Sequence, residues 1–334
     1  MNQRARLGTS LAIGPEVIRA VGYKAESILM SSGCHASAIP RLHTARAVPN
    51  YKAYTVAVAL GFPSPDGGHL AMPRPASLVG SPRQNQLLSA LSTISAIEWQ
   101  ALQRAIKPVF LPLGHVVYEP NAQREHVYFP TTSIISLSYV LADGGSTEFA
   151  VVGNDGLVGL PVFMGGATMP SWAIVQREGW AYRLTSRLPQ AELMQGVAMQ
   201  HLLLRYAQAL ITQIAQTVVC NRHHSIEQRI CRRLLLSLDR TNADELTLTH
   251  DVLANLLGVW RDGVSKATRE LQRSGIISYS RGHITVINRA GLESRCCECY
   301  DVVKRESDRL QGRSADAVGV PEYNIATRLI LGVT

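Results

Sequence analysis

From residue 85 onward the chain changes its hydrophobic period three times, and each change marks a different kind of element. Leu87, Leu88, Leu91, Ile94, Ile97, Leu102 and Ile106 recur at helical spacing. Short β-branched and aromatic runs follow, at 109–111, 116–118, 126–129, 134–140, 147–152, 172–175 and 179–184. Turn residues such as Pro112-Leu113-Gly114, Glu119-Pro120-Asn121-Ala122, Pro130 and Asp143-Gly144-Gly145 separate them. Many short strands at this spacing predict a sandwich or a jelly-roll barrel. Residues 190–221 then read as one long helix. Val197, Leu204, Ile211 and Val218 repeat every seven residues, with Ala207 and Ile214 at the intervening step. That is a coiled-coil seam able to pair two subunits. Leu203, Tyr206 and Leu210 lie on a neighbouring face, suited to covering the barrel of the same chain.

The third period runs from Thr249 to Asn288 and predicts a helix-turn-helix followed by a wing. Ala254 is the small residue needed where two helix backbones approach, and Gly258 is free to take a positive φ at the turn. Val264 faces the first helix from the second, and Leu253, Leu257, Val259 and Ala267 complete the buried side. Arg261, Asp262, Ser265, Lys266 and Arg269 fall on the outward side, a mixture of donors and acceptors that suits the major groove of DNA. An ordinary amphipathic helix pair would not require every apolar slot to be filled and a wing to follow. The wing is the pair of runs 276–279 and 283–287 around Ser280-Arg281-Gly282, a hairpin signal with Gly at the turn. Arg281 at its tip either touches a phosphate or is a solvated turn arginine.

Length and composition refine this picture. The 334 residues leave room for two domains and linkers, and 46% apolar content supports sizeable cores. No run approaches the roughly twenty apolar residues of a membrane span, and the patch 54–62 is too short and too late for a signal peptide. A cytoplasmic protein with no membrane partner is expected. Residues 1–84 are broken by Pro and Gly at every short apolar run. They are expected to be a disordered extension, or to precede a natural start at Met72. The net charge of +8 is unevenly spread. Residues 1–84 hold nine basic and three acidic side chains, 85–221 seven and eight, and 222–310 fifteen and twelve. The DNA inference therefore rests on the motif, and the overall charge adds little.

Six cysteines occur, at 34, 220, 231, 296, 297 and 299. A disulfide framework is not expected in a cytosolic chain. Zinc and iron–sulfur sites usually need four suitably spaced ligands. Cys296-Cys297-Glu298-Cys299 has no His or Cys pair matched to it along the sequence, so structural thiols and no metal site are the expectation.

Barrel, long helix, then winged helix-turn-helix is an order that resembles the Crp/Fnr superfamily of bacterial transcription regulators. The likeness covers about Asn85 to Tyr300. It is carried by Gly114-His115-Val116-Val117-Tyr118-Glu119-Pro120 with His126-Val127-Tyr128-Phe129-Pro130, and by Ala254, Gly258 and Val264. The resemblance implies an α+β chain with a cyclic-nucleotide-binding-like jelly-roll sensor at 85–189 and a dimerisation helix at 190–221. It further implies a winged helix-turn-helix domain at 222–300, with a helix end and disordered tail at 301–334. It also implies a homodimer on a palindromic operator in double-stranded DNA, with RNA polymerase as a further contact. The DNA-facing set is Thr249, Arg261, Asp262, Ser265, Lys266, Arg269 and Arg281, and the dimer interface is Val197, Leu204, Ala207, Ile211, Ile214 and Val218. The chain departs from the family at Trp260, where a small hydroxyl residue often opens the recognition helix. In the stretch 156–172 the glycine framework of cyclic-nucleotide binders survives, but Leu157 stands where their Glu would be and Pro170 about where their Arg would be. An anionic phosphate would lack its charge-assisted partner, so cyclic AMP is not expected and the effector is left open. No cofactor is expected: an N-terminal cysteine cluster is missing, with only Cys34 there, and His115 and His126 read as structural. A competing reading is a cupin-like metal enzyme fused to a winged helix, using His115 and His126 with Glu119, Glu125 and Glu148; the barrel lacks a tight His-x-His pairing for it. No nucleophile triad, P-loop or dinucleotide fingerprint is present.

Overall fold

The computed structural model describes residues 79–310 except 124, 143–144, 167, 186–195 and 242–244. The expectations for 1–78 and 311–334 lie outside the described residues. Two helices open the fold, α1 (Gln86–Ile94) and α2 (Ala96–Ala105), where the sequence period suggested one continuous run. Ser95 breaks it by leaving helical geometry and accepting from the Glu98 N–H as the cap of α2. Asn85 caps α1 and also anchors it. Its Oδ1 accepts from the Leu87 and Leu88 N–H groups, while its Nδ2 donates to the carbonyls of Pro130 and Gly156.

Seven strands follow: β1 (Lys107–Leu111), β2 (Val116–Tyr118), β3 (His126–Pro130), β4 (Ile134–Val140), β5 (Ser146–Val152), β6 (Trp172–Arg177) and β7 (Gly179–Thr185). A one-turn helix, α3 (Leu160–Phe163), interrupts them. They form two antiparallel sheets, ordered β1-β7-β3 and β2-β6-β4-β5, so of the two expected forms the sandwich is seen and the barrel is not closed. The sheets face each other through Leu111, Tyr128, Ile135, Val152, Val175 and Ala181. Strand alternation then assigns the outer faces. Val127 and Phe129 turn outward from the first sheet and are covered by α1, α2 and the long helix α4 (Val197–His223). Ile134, Val151 and Ile174 turn outward from the second sheet and enter the core of the C-terminal domain. The expected start of α4 at 190 lies among undescribed residues, and its end runs two residues beyond the expected 221.

The C-terminal domain comprises α5 (Ile226–Leu238), β8 (Glu245–Thr247), α6 (His250–Leu257), α7 (Arg261–Arg273), β9 (Ile277–Ser280), β10 (His283–Val286), α8 (Arg289–Ser294) and α9 (Cys299–Leu310). The expected two-stranded wing is three-stranded, in the order β8-β10-β9. Residues 299–310 form one packed helix lying against α4, with Tyr300, Val303 and Leu310 buried. Among the described residues no helix is long and apolar enough to cross a membrane.

Candidate nucleic-acid interface

The helix-turn-helix is built as its spacing predicts. Thr249 caps α6, its hydroxyl accepting from the Val252 N–H at 3.1 Å. Gly258 ends α6 at φ 61°, ψ 44°, in the left-handed region that favours glycine. The Val259 N–H returns to the Ala254 carbonyl at 3.0 Å and closes the turn. Ala254 and Val264 are both buried at the crossing, with Leu253, Leu257, Ala267 and Leu271 around them.

On the opposite face of α7, Arg261, Asp262, Lys266 and Arg269 are exposed. Arg261 Nε sits 3.0 Å from Asp251 Oδ1, and both side chains remain more than half exposed, so solvent screens the pair. Ser265 departs from its predicted outward role. It is half-buried, and its hydroxyl lies 3.1 Å from His250 Nδ1. Sequence reasoning missed His250, which clamps three elements together. Its Nε2 lies 2.9 Å from Thr268 Oγ1, and its ring stacks on Tyr279 of the wing at 4.4 Å. Thr268 Oγ1 donates to the Val264 carbonyl at 2.9 Å, which leaves it to accept from Nε2–H and Nδ1 to accept from Ser265. Burial, then Arg261, lowers the imidazole pKa below its ordinary 6.5.

Arg281 stands exposed at the wing tip. It and Gly282 have φ of 50° and 82°, the positive pair a two-residue type I′ hairpin requires. Trp260 opens α7 without a side-chain cap and is 88% exposed beside the basic face.

The helix-turn-helix is tied to the two β-sheets of the N-terminal domain. Ser146 Oγ donates to the Asn255 carbonyl at 3.1 Å, and a Cβ at Gly258 would meet Thr147 Oγ1. Arg233 of α5 ion-pairs with Glu148 of β5 at 2.5 Å, both nearly dry, and Gln176 Nε2 donates to the same carboxylate at 3.1 Å. Arg240 joins Asp155 at 2.7 Å and Gln213 of α4 at 2.9 Å. With Glu148 committed to Arg233, the His115, His126 and Glu set weighed for a metal enzyme loses a member.

The stretch 156–172 borders a pocket of about 720 Å³, counted to its open mouth, between the sheets and α4. Leu157, Leu160, Met169, Ala207, Leu210 and Ile214 contribute to its lining, which among the described residues contains no charged side chain. Pro170 is exposed and outside the lining. Tyr206 Oη donates to the Leu157 carbonyl at 2.8 Å and pins α4 to this stretch.

An α+β chain whose winged helix-turn-helix presents a basic helix face to solvent has the architecture of DNA-binding transcription regulators. Residues 228–295 match the family model of the Crp-like helix-turn-helix domain, so this part of the chain is a Crp-like helix-turn-helix domain. Among solved structures it is similar to a transcriptional regulator of the crp/fnr family from Eubacterium rectale. That likeness has a TM-score of 0.50 at 14% identity, covering 61% of this chain and 95% of the other. FixK2 from Bradyrhizobium japonicum gives 0.49 at 17% identity, over 57% and 98%. A CRP-family regulator from Thermus thermophilus gives 0.48 at 19%, over 57% and 95%. No curated protein matches the chain.

Proposed function

We propose that this regulator acts in the cytoplasm as a homodimer, placing two α7 helices in successive major grooves of a roughly palindromic operator. The carrying observation is the seam of α4: Val197, Leu204, Ile211 and Val218, seven apart, are each 63–68% exposed while the opposite side of the helix is buried. At 1.5 Å per residue the 27-residue helix is about 40 Å long, enough for several layers of knobs-into-holes packing with a second copy. Half-sites one DNA turn apart follow from that two-fold arrangement. Arg261, Asp262, Lys266 and Arg269 contact the groove, Arg281 and the amino end of α6 at Thr249 approach the backbone, and Ser265 acts indirectly by holding His250.

The uncharged pocket between the sheets and α4 takes up a small apolar effector in preference to a cyclic nucleotide. A phosphate there would be desolvated without a cationic partner. Because Ala207, Ile211 and Ile214 border both pocket and seam, an occupant shifts the packing of the two α4 helices and the spacing of the α7 pair.

Gel shifts of the full-length protein on its own promoter region test this reading. Arg269→Ala is expected to weaken specific binding by about 1–3 kcal/mol, roughly 5- to 150-fold. Arg281→Ala, which removes a backbone contact, is expected to lower the salt slope by about one. No footprint and no effect of either variant would overturn it.

A further inference from the structure

Two sequence-distant pairs meet at the carboxyl end of α4. Cys220 and His224 lie one turn apart on that helix end, and Cys297 and Cys299 bracket Glu298 at the start of α9. The donor atoms of these four residues all lie within 4.8 Å of one another, and three of the four are buried. The sequence expectation of an unpartnered thiol cluster is therefore corrected, because the fold supplies the missing Cys/His pair. We infer that Cys220, His224, Cys297 and Cys299 form a tetrahedral site for one zinc ion, fastening the α8–α9 segment to the end of the dimerisation helix.

Three observations carry this. First, the spacing fits a single ion. Zn–S bonds of about 2.3 Å and Zn–N bonds of about 2.0 Å imply tetrahedral edges of roughly 3.8 Å for S···S and 3.5 Å for S···N. The Cys220 and Cys297 sulfurs are 3.6 Å apart, and Cys299 Sγ is 3.5 Å from His224 Nδ1. An iron–sulfur cluster attaches its ligands to different irons and needs them spread wider. Second, the histidine is oriented as a ligand. Nδ1 points at the sulfurs while Nε2 is 3.3 Å from Glu298 Oε2, the carboxylate–histidine arrangement that fixes the tautomer of a metal-bound imidazole. Third, the charge is answered. Three thiolates and a neutral imidazole around Zn²⁺ leave one negative charge, and Arg232, 7% exposed, acts electrostatically on both Cys220 and Cys299. Soft thiolate donors in tetrahedral array select zinc over harder cations. Cys231, buried on α5, lies outside the donor set, and burial pushes its thiol up to about 12.

The position gives the ion a task. His224 is the last residue before Ser225, which caps α5, so the site sits at the joint between dimerisation helix and DNA-binding domain. Loading fixes that joint; zinc loss frees it.

The test uses the reduced full-length protein purified without chelator. Metal analysis is expected to give about one zinc per chain, and cobalt replacement to give the visible bands of a tetrahedral thiolate site. Cys220→Ser, Cys299→Ser and His224→Ala are expected to lose the ion, and Cys231→Ser to keep it. Glu298→Gln, on the exposed side, leaves the four ligands in place and is expected to weaken zinc binding by about 10- to 100-fold. That variant carries the test if the ligand variants fail to fold. Fewer than about a tenth of an equivalent after zinc reconstitution, unchanged zinc in Cys297→Ser/Cys299→Ser, iron in place of zinc, or unaltered affinity in Glu298→Gln would each overturn the assignment.

Discussion

Replacing Glu148 by Gln isolates what holds the two β-sheets to the helix-turn-helix domain. Glu148 and Arg233 are 8% and 4% exposed and pair at 2.5 Å, with Gln176 bonded to both. Arg233 cannot reach water when its partner is neutralised, so the guanidinium is left dry and uncompensated. Removing one member of such a pair costs about 3–5 kcal/mol. Each kcal/mol moves the midpoint of a domain of this size by about 2–4 °C, so a loss of roughly 6–20 °C is expected. Thermal unfolding followed by circular dichroism measures it, and urea titration shows whether one transition splits into two as the units uncouple. The double variant Glu148→Met/Arg233→Met removes both charges and is expected to recover most of the loss. A shift below about 2 °C for Glu148→Gln, or a double variant no better than the single, would refute the idea that this pair joins the two units.

Three further expectations follow from the geometry. His250 is less basic folded than unfolded, so the unfolded chain binds the extra proton first. Stability should fall as pH drops below about 6.5 and level off once the folded pKa is passed. His250→Gln should lack that component of a pH series of urea melts, and an identical slope would count against the clamp. Leu204→Glu with Val218→Glu places charge on the seam and should convert a dimer to monomer in light scattering while lowering operator affinity; an unchanged mass would remove the seam from the interface. Trp260→Ser supplies the missing hydroxyl cap of α7 and should stabilise by about 1 kcal/mol in a thermal melt, whereas no gain would show that the helix end is satisfied otherwise.

The legible parts of the sequence were those governed by a local period. Gly258, Ala254 and Val264 could be placed because a tight crossing allows few residue types. The exposed stripe of α4 was visible because its heptad is regular. Strand existence was legible for the same reason, but sheet closure was not, since pairing between distant strands leaves no local trace. Ser95 hid a helix break because serine at a cap looks like any polar position. His250 was missed, and Ser265 was placed wholly outward, because a helical angle does not reveal a partner on a neighbouring element. The second half of the thiol site was invisible for the strongest reason: Cys220 and Cys297 are 77 residues apart, and the docking of α9 on α4 brings them together. Cys220-x-x-x-His224, one helical turn of two soft donors, was the one available hint.

The outward face of the second sheet and the helices of the reading domain share one continuous apolar layer, in which Ile134, Val151 and Ile174 meet Ile230, Leu234 and Val264. Any swing of the reading head must wet part of that layer, so the transition carries a positive heat-capacity change. It should also register as faster deuterium uptake in β5 and α5. Both signatures can be followed in the absence of any nucleic acid, which makes such a swing a calorimetric observable.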